Sequence, residues 1–572
     1  MTNTTRRTFL VGAGMTAAAS LLSRGAATAS ASASASATAK APADLQPLIA
    51  RERENLLAIL DKDDVPGAAV CLLYEGKPAW IEGFGVTDRQ SRRSVGTGTI
   101  FSIQSTSKNF TATAIMLAVQ RGLLELDKPI TAYMPNFTVQ SRFESRPQEK
   151  MTLRMLLSHR AGFTHEAPIG NNYDPAFPDF ETHIRSISQT WLRFPVGERY
   201  RYSNLGIDLA GYILQSVSGR PFADCLKTMI FDPLGMADST VATEEYAGRK
   251  DRAVGHAKGY ASVPLKTPLI PSGGVYTSAR DMAAYLAFHL SRGQTGGKTL
   301  LQQSLWQDMH SFSLGGDYGL GVIRTELRYG NSPIRDLSHR GGGFGFGCVC
   351  RYVPEAQLAW VAMFNRPSGA PYQLGEGLLD AILTRRYGVR GARVSARDLP
   401  VIQPQEGQLA SLVGNYLGRS APAEIKLEGG VLGLKVESAA TPLQFTSPTD
   451  AFIADPDGSA VTYRYSPAGQ GQTAHLECFI GENSLDYNDG PNDPVGPNAT
   501  SWDAFVGQYA IDQWGQRSQS VSVHRKNGYL YFDDQRLILE LEPGLFFTPD
   551  GEAVDFRHAS PTWRSIRLRR LL

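Results

Sequence analysis

The sequence predicts an α+β fold in which an antiparallel sheet is flanked by helices and followed by two small antiparallel β-barrels. Apolar helical patterns mix with strand patterns over residues 41–395. Beyond the proline-containing linker "DLPVIQPQEG", short β-rich runs alternate with Gly, Asp, Asn and Pro turns. A weak internal repeat divides this second half, because "LVGNY" from Leu412 is echoed by "FVGQY" from Phe505. We therefore predict one barrel over residues 406–495 and another over residues 500–572.

The first domain is predicted to open with a strand hairpin and to end with three adjacent strands. The hairpin is predicted by "PGAAVCLLYEGKPAWIEGFG", which has its turn at Glu75-Gly76-Lys77. Four apolar runs predict helices, namely "FTATAIMLAVQRGLLEL", "TLRMLLSHRAGF", "SNLGIDLAGYILQSVSG" and "SARDMAAYLAFHLSRG". Three later runs predict neighbouring strands of one sheet, namely "LSHRGG", "GCVCRYVPE" and "LAWVAMFNR".

The first 40 residues have the features of a twin-arginine secretory signal. Arg6 and Arg7 precede a short, weakly apolar stretch, and small Ala/Ser residues with several A-x-A-like sites follow. The apolar stretch is too short to span a bilayer, which requires ~20 apolar residues. We therefore expect a periplasmic or secreted protein without a stable membrane anchor, and we exclude residues 1–40 from the fold.

Composition argues against several classes of partner. The 57 basic residues are balanced by 55 acidic ones, so the net charge of +2 gives no reason to expect nucleic-acid binding. The five cysteines form no C-x-x-C motif, and neither a metal site nor a cofactor is predicted. Cys348 and Cys350 would face the same side of a strand and could not easily form a disulfide. A small molecule or a peptide is the expected substrate, and the oligomeric state stays open.

The stretch "FSIQSTSKNF" places Ser105 three residues before Lys108, ahead of an apolar run. Residues at i and i+3 share one face of a helix, so the two side chains are expected to meet. A lysine amine that burial keeps neutral can accept the proton of a serine hydroxyl and so activate it as a nucleophile. Lys108 is the only lysine in the chain with a serine at this spacing. The alternative is a serine helix cap followed by a solvated lysine.

A second candidate segment is "GERYRYSNLG", in which Tyr202 and Asn204 precede an apolar helix. A phenol at this point can shuttle a proton, and an amide can hold a substrate carbonyl. The alternative is a tyrosine packed at the entry of a helix. A rival match, "YGN" at Tyr329 to Asn331, lies only ten residues before His339 and is ranked well below the segment with Tyr202 and Asn204.

The third candidate segment is "SHRGGGFGFG", where a predicted strand ends in consecutive glycines after His339. Glycine lets the backbone run close beside a bound acyl group, so Gly341 and Gly342 are candidate substrate contacts. The N–H groups of Gly342 and Ser105 would then form an oxyanion hole. His339 is expected to supply or relay a proton, or to tune Tyr202 electrostatically. The alternative is a surface histidine beside a flexible turn.

The three segments together resemble the three-box pattern of penicillin-binding proteins and serine β-lactamases, in the class C-like branch. Surrounding stretches such as "VPGAAV", "MTLRMLLSHRAGF" and "SGGVYTSARDMA" are similar to that branch as well, so the resemblance covers residues 50–390. It implies a β-lactamase-like core with Ser105 as nucleophile and Lys108 as base. It also implies that Tyr202 is a proton shuttle, Asn204 a substrate contact and His339 the basic residue of the third box. Whether Lys108 or Tyr202 takes the serine proton stays open.

The chain departs from the class C pattern at the third box, where it has His339-Arg340-Gly341 and not Lys-Thr-Gly. The His-x-Gly form and the β-rich tail resemble D-aminopeptidases, D,D-carboxypeptidases and related esterases. The expected function is a serine hydrolase of D-amino-acid-containing peptides, amides or esters. The alternatives are a carboxylesterase and a non-catalytic binding protein. One hypothesis for Arg340 is contact with a substrate carboxylate.

The resemblance to D-aminopeptidase also implies that a loop of the last barrel reaches the active site. The acidic residues within Asp512 to Gln519 and Asp486 to Asp493 are the candidates for that loop. His159 in "LLSHRAGF" is expected to be a structural histidine at a helix end.

Overall fold

The computed structural model describes residues 41–571 with several gaps. The gaps are residues 172–178, 258–269, 312–317, 368, 391, 394–399, 404–405, 418–421, 437–438, 448–449, 455–459, 467–474, 479–484, 489–498, 512–518, 527, 534, 538 and 549. The predicted secretory signal therefore lies outside the described residues. So do most residues of the two candidate loops at 486–493 and 512–519.

A seven-stranded antiparallel sheet forms the centre of the first domain. The strands of this domain, including four short ones outside the main sheet, are β1 (Gly67–Tyr74), β2 (Lys77–Gly85), β3 (Phe101–Ser102), β4 (Tyr276–Thr277), β5 (Gln294–Thr295), β6 (Lys298–Thr299), β7 (Ile323–Tyr329), β8 (Ser332–Gly343), β9 (Phe346–Val353), β10 (Leu358–Phe364) and β11 (Ala392–Arg393). The order of the strands in the main sheet is β11-β7-β8-β9-β10-β1-β2.

Helices cover both faces of this sheet. They are α1 (Gln46–Lys62), α2 (Ser107–Gln120), α3 (Leu153–Leu157), α4 (Phe180–Ser186), α5 (Asn204–Ser218), α6 (Phe222–Leu226), α7 (Asp232–Leu234), α8 (Thr243–Gly248), α9 (Ile270–Gly273), α10 (Ala279–Leu290), α11 (Gln303–Met309) and α12 (Glu376–Tyr387). Strand β1 shows why both faces are apolar. Ala69, Cys71 and Leu73 join the core that contains α2, α5 and α10. The alternate residues Ala68, Val70 and Leu72 join the core beneath α1 and α12.

Local sequence signals set the ends of the helices that carry the site. The chain leaves α2 through Gly122, which has a left-handed φ of 70°. Ser203 caps the start of α5 by accepting a hydrogen bond from the Leu205 N–H, and Gly219 ends the helix in the left-handed conformation. Ser278 caps α10 in the same way as Ser203 caps α5. The helices predicted from these three apolar runs are confirmed.

The hairpin and strand predictions for the first domain are also confirmed. Strands β1 and β2 pair through a tight turn in which Tyr74 lies opposite Lys77. Both turn residues, Glu75 and Gly76, have positive φ, as a two-residue hairpin turn requires. Strands β8, β9 and β10 are consecutive neighbours in the sheet. Cys348 and Cys350 on β9 are free, buried thiols.

The C-terminal half contains two nine-stranded antiparallel sheets of the same topology, each with its first strand paired to its last. A short helix, α13 (Glu406–Leu412), precedes the first sheet. That sheet comprises β12 (Gly414–Leu417), β13 (Pro422–Glu428), β14 (Val431–Val436), β15 (Ala439–Pro442), β16 (Gln444–Phe445), β17 (Asp450–Ala454), β18 (Ala460–Ser466), β19 (His475–Cys478) and β20 (Leu485–Asn488). The second comprises β21 (Gly507–Ile511), β22 (Gln519–Lys526), β23 (Tyr529–Phe532), β24 (Gln535–Arg536), β25 (Leu539–Glu542), β26 (Leu545–Phe547), β27 (Ala553–Asp555), β28 (Thr562–Trp563) and β29 (Ile566–Arg570).

The repeat seen in the sequence has a structural counterpart in these two sheets. Tyr416 on β12 donates its hydroxyl to the carbonyl of Leu412 at 2.7 Å. Tyr509 on β21 makes the equivalent bond to Phe505 at 2.8 Å. The antiparallel sheets that the sequence predicts are present, and the closure of each sheet into a separate barrel stays a prediction. Among the residues described, no helix has both the length and the apolar character needed to cross a membrane.

Candidate active site

Ser105 lies in a 3-10 turn, Gln104–Thr106, that leads directly into α2. The sequence predicts Ser105 in the first turn of the helix, whereas in the structure it lies just before α2. Gln104, the residue before it, has a left-handed φ of 49°, which bends the chain at this point. Gln104 and Thr106 are buried, whereas Ser105 is partly exposed. A non-glycine residue with positive φ beside a partly exposed hydroxyl is a form of local strain that is typical of functional sites.

Lys108 is fully buried on the first turn of α2, beside Ser105. Its Nζ atom lies 3.0 Å from Ser105 Oγ. It also donates a hydrogen bond to the carbonyl of Ser272 at 2.9 Å. Burial lowers the pKa of Lys108 to about 7, against the opposing charges of Asp208 and Glu166. A large fraction of the amine is therefore neutral near pH 7 and has a lone pair available for the serine proton.

Tyr202 and Asn204 flank the residue that caps α5, and Tyr202 lies beside the Ser105–Lys108 pair. The Tyr202 hydroxyl is hydrogen-bonded to Ser105, yet burial raises the pKa of Tyr202 far above its usual range. The ring centroid of Tyr202 lies 4.9 Å from Lys108 Nζ. Asn204 donates its side-chain N–H to Glu166 Oε1 at 3.2 Å. The phenol therefore stays protonated, and Lys108 is the better proton acceptor of the two.

His339 lies on β8 with its ring centroid 6.3 Å from that of Tyr202. Its Nδ1 atom lies 2.7 Å from the Arg340 carbonyl, so the ring proton is on Nδ1. Its Nε2 atom lies 2.9 Å from the Tyr318 hydroxyl, which therefore donates to it. Burial, followed by the Lys108 charge, lowers the pKa of His339 to about 3. The ring is neutral at physiological pH, and it acts as a hydrogen-bond acceptor from Tyr318.

The glycines after His339 bring strand β8 close to the Ser105 turn. A Cβ atom added to Gly341 would lie 2.0 Å from the carbonyl oxygen of Ile103 and 3.0 Å from the Ser105 nitrogen. Gly341 also accepts a hydrogen bond from the Tyr372 hydroxyl at 2.9 Å. A Cβ added to Gly342 would lie 2.3 Å from that same hydroxyl. Glycine is thus the residue that fits at both positions.

The Arg340 side chain is more than half exposed and forms an ion pair with Glu376 at 3.1 Å. Contact of Arg340 with a substrate carboxylate stays a prediction.

Replacing Gly341 with alanine is expected to lower kcat/KM about 10²-fold or more, because the strand must move away from the Ser105 N–H to relieve its clash with backbone atoms. Steady-state hydrolysis of an activated ester measures the effect. Gly377→Ala is the matched control, since a Cβ at Gly377 meets no atom within 4 Å. Equal activity in the two variants would contradict this interpretation of the glycine.

His159 is a site residue that the sequence interpretation assigned to structure alone. Its carbonyl accepts from the Arg201 N–H at 2.9 Å. Its Nδ1 atom accepts from the Ser203 N–H at 3.2 Å. Its ring centroid lies 4.4 Å from that of Tyr202. His159 therefore holds the chain on both sides of Tyr202, which the sequence signals only through its position in "LLSHRAGF".

Three further residues of the site, Glu166, Asp208 and Tyr318, were missed in the sequence. Asp208 is fully buried and accepts from the Ser272 N–H at 2.8 Å. His183 Nε2 lies 3.2 Å from its other carboxylate oxygen. The spacing of Asn204 and Asp208 puts both on one face of α5, and this was an available signal. Nothing in the sequence marks Glu166 or Tyr318.

The residues described bring together no group of three or more side chains that could hold a metal ion. The geometry described above is that of an activated serine, with a buried amine, a protonated phenol and a close glycine strand around one hydroxyl group.

A family model described as Beta-lactamase matches residues 51–384, which include all of these groups. The chain belongs to the beta-lactamase family. This family consists of serine hydrolases, and its matched region ends before the two C-terminal sheets.

Curated relatives in the family are distant. The unguisins hydrolase ungD′ of Aspergillus campestris is 25% identical over 350 residues, which cover 58% of this chain and 64% of that protein. Protein flp of Staphylococcus aureus is 25% identical over 249 residues, which cover 43% of this chain and 49% of that protein. A beta-lactamase of Yersinia enterocolitica is 25% identical, covering 57% of this chain and 90% of that enzyme. The chain thus spans less than two thirds of the first two relatives.

Solved structures show the same fold. The octameric penicillin-binding protein homologue from Pyrococcus abyssi has a TM-score of 0.51 at 22% identity, covering 76% of this chain and 99% of that one. SurE with D-Leu has a TM-score of 0.51 at 21% identity, covering 78% of this chain and 100% of that one.

Proposed function

We propose that this member of the family is an exported hydrolase that acts through a Ser105 acyl-enzyme on amide, peptide or ester bonds. The observation that carries the proposal is the buried Lys108 amine, 3.0 Å from a partly exposed Ser105 hydroxyl. In an ordinary serine helix cap, the lysine would be solvated and would not lie beside the serine hydroxyl. Export is proposed from Arg6-Arg7 and the Ala/Ser-rich stretch, and fractionation of an expressing bacterium tests it.

The proposed acylation begins with Lys108 accepting the Ser105 proton as Oγ attacks the substrate carbonyl carbon. The N–H groups of Ser105 and Gly342 stabilise the oxyanion of the tetrahedral intermediate. The proton then passes from Lys108 through the Tyr202 hydroxyl to the leaving nitrogen or oxygen, and the bond to the carbonyl carbon breaks. Water, activated by the same groups, hydrolyses the acyl-enzyme and restores the Ser105 hydroxyl. Asn204 contacts the acyl part of the substrate.

We propose D-amino-acid derivatives as the substrate class. The third box supports this choice, because it carries a neutral His339 where class C β-lactamases have a lysine. Without that fixed positive charge, the site is poorly suited to bind the carboxylate of a β-lactam. The structural neighbour solved with D-Leu supports a D-configured ligand, at the level of a shared fold.

The alternative is a carboxylesterase of small acyl esters. The ion pair of Arg340 with Glu376 favours it, because this pairing already occupies the arginine that the sequence suggests for a substrate carboxylate. A non-catalytic binding protein is disfavoured, since the nucleophile, base and proton shuttle all lie in contact with one another.

The test is covalent labelling of Ser105. Pure protein is incubated with a fluorophosphonate, digested and mapped, and the adduct is expected on Ser105 and absent from Ser105→Ala. Turnover by Ser105→Ala at the rate of the unaltered protein would reject the mechanism. D-alanine p-nitroanilide, its L-enantiomer and p-nitrophenyl butyrate then separate the substrate classes. Faster turnover of the D-anilide than of its enantiomer supports the D-specific reading, and turnover of the butyrate alone supports the esterase.

A further inference from the structure

The turn between β26 and β27 in the last C-terminal sheet is pressed against the hydrolase domain. Its two acidic side chains, Asp550 and Glu552, are almost fully buried and lie 3.0 and 3.1 Å from the Arg193 guanidinium. A Cβ added to Gly551 would lie 2.1 Å from the carbonyl oxygen of Arg193. Residues 550–552 of this turn therefore contact the backbone as well as a side chain of the first domain.

Two short hydrogen bonds lead from this turn to the active site. Thr164 donates its hydroxyl to Glu552 Oε2 at 2.6 Å. The carbonyl of Thr164 in turn accepts from the Ser203 hydroxyl at 2.6 Å. Ser203 lies between the two candidate site residues Tyr202 and Asn204, and its Oγ caps the helix that Asn204 begins. Both bonds are buried, so water does not compete for them.

The segment that Glu552 holds makes further contacts with the same site. The Asn204 N–H donates to the carbonyl of His165 at 3.3 Å. The Asn204 side chain donates to Glu166 Oε1. Thr164 thus bonds to Ser203, while His165 and Glu166 bond to the backbone and the side chain of Asn204. Glu552 bonds to Thr164, the first of these three residues.

We propose that Glu552 is a positioning residue for Tyr202 and Asn204, acting through Thr164 and Ser203. Through these hydrogen bonds, Glu552 in the last C-terminal sheet influences the rate of the reaction at Ser105. The expected kinetic effects rest on the proposed function. The positioning of the Tyr202-to-Asn204 segment rests only on the hydrogen bonds described above. Thr164→Val removes the hydroxyl bond to Glu552 at nearly constant shape and leaves the carboxylates paired with Arg193.

The expected result is that Glu552→Ala and Thr164→Val each lower kcat about 10-fold to 100-fold, with a much smaller change in KM. The effects of the two substitutions should not add in the double variant, because both substitutions remove the same hydrogen bond between Thr164 and Glu552. Glu552→Gln keeps an acceptor oxygen for the Thr164 hydroxyl, so this variant is expected to retain most of the kcat of the unaltered protein. Asp550→Asn is the matched control, because Asp550 pairs with Arg193 and is not bonded to Thr164.

Hydrogen exchange of residues 200–208 gives a readout that does not require activity. It is expected to speed up in Glu552→Ala and Thr164→Val and to stay unchanged in Asp550→Asn. Unaltered exchange and kcat in Thr164→Val, or equal effects of Asp550→Asn and Glu552→Ala, would overturn the proposal. A protein that fails to label at Ser105 would refute the proposed function, while the exchange result would still decide the positioning role.

Discussion

Lys108→Met is expected to reduce kcat/KM by about 10²–10⁴-fold, the usual contribution of a general base. Methionine matches the lysine in length and suits a fully buried position, so the loss reflects the missing amine. Because burial opposes the charged form of the amine, the variant is not expected to unfold at a lower temperature. Hydrolysis kinetics and thermal unfolding measure the two effects separately.

Lys227→Met is the control for this substitution, because Lys227 is an exposed lysine that pairs with Asp232 on the surface. It is expected to retain full activity. A Lys108→Met protein that labels Ser105 as fast as the unaltered protein would show that another group takes the proton. Tyr202 would then be the remaining candidate of the two that the sequence left open.

The same amine predicts how the reaction depends on pH. Lys108 accepts a proton only in its neutral form, and its pKa is lowered to about 7. The kcat/KM is therefore expected to fall about tenfold per pH unit below pH 7 and to level off above it. Because the pKa of His339 is about 3, its titration is not expected to change kcat/KM above pH 4. A rate that stays constant between pH 5 and pH 8 would contradict a neutral Lys108 as the base.

The parts of the site that the sequence predicted are those set by local spacing. Ser105 and Lys108 meet because Lys108 follows Ser105 by three positions at a helix start. Tyr202 and Asn204 lie together because they flank the Ser203 cap of α5, and this places Tyr202 beside Lys108. The glycines of β8 were predictable because only a residue without a side chain lets two backbones approach this closely. Helix ends followed the same local rules, as Gly219 and Ser278 show.

The parts that the sequence did not predict depend on docking between distant segments. The bond between Thr164 and Glu552 joins residues 388 positions apart. His339 pairs with Tyr318, and burial, followed by the Lys108 charge, lowers the pKa of His339 so that its ring is neutral. The left-handed φ of 59° at His159 turns its ring towards Tyr202, and no sequence pattern encodes such an angle for a histidine. Burial and hydrogen-bond partners of this kind follow only from the assembled fold.

Arg193→Met is expected to destabilise the docked C-terminal sheet by about 3–5 kcal/mol, the cost of leaving buried charges without their partner. Arg193 is 3% exposed, and the carboxylates of Asp550 and Glu552 are 2% and 1% exposed. Arg564 also pairs with both carboxylates, at 3.5 Å and 3.3 Å, so it balances part of their charge in the variant and the loss is expected near the lower end of this range. Urea unfolding followed by hydrogen exchange of residues 545–555 measures the loss.

Arg185→Met is the matched control for this substitution. Arg185 pairs with Glu181 on the surface, where the two side chains are 77% and 51% exposed. Solvent screens such a pair, so its removal is expected to change stability by less than about 1 kcal/mol. If the two arginine variants unfolded alike, the buried pairs would contribute no more than surface ones. The turn that follows β26 would then have to be held by apolar contacts next to it, such as that of Phe547 with Trp191, whose ring centroids lie 5.6 Å apart.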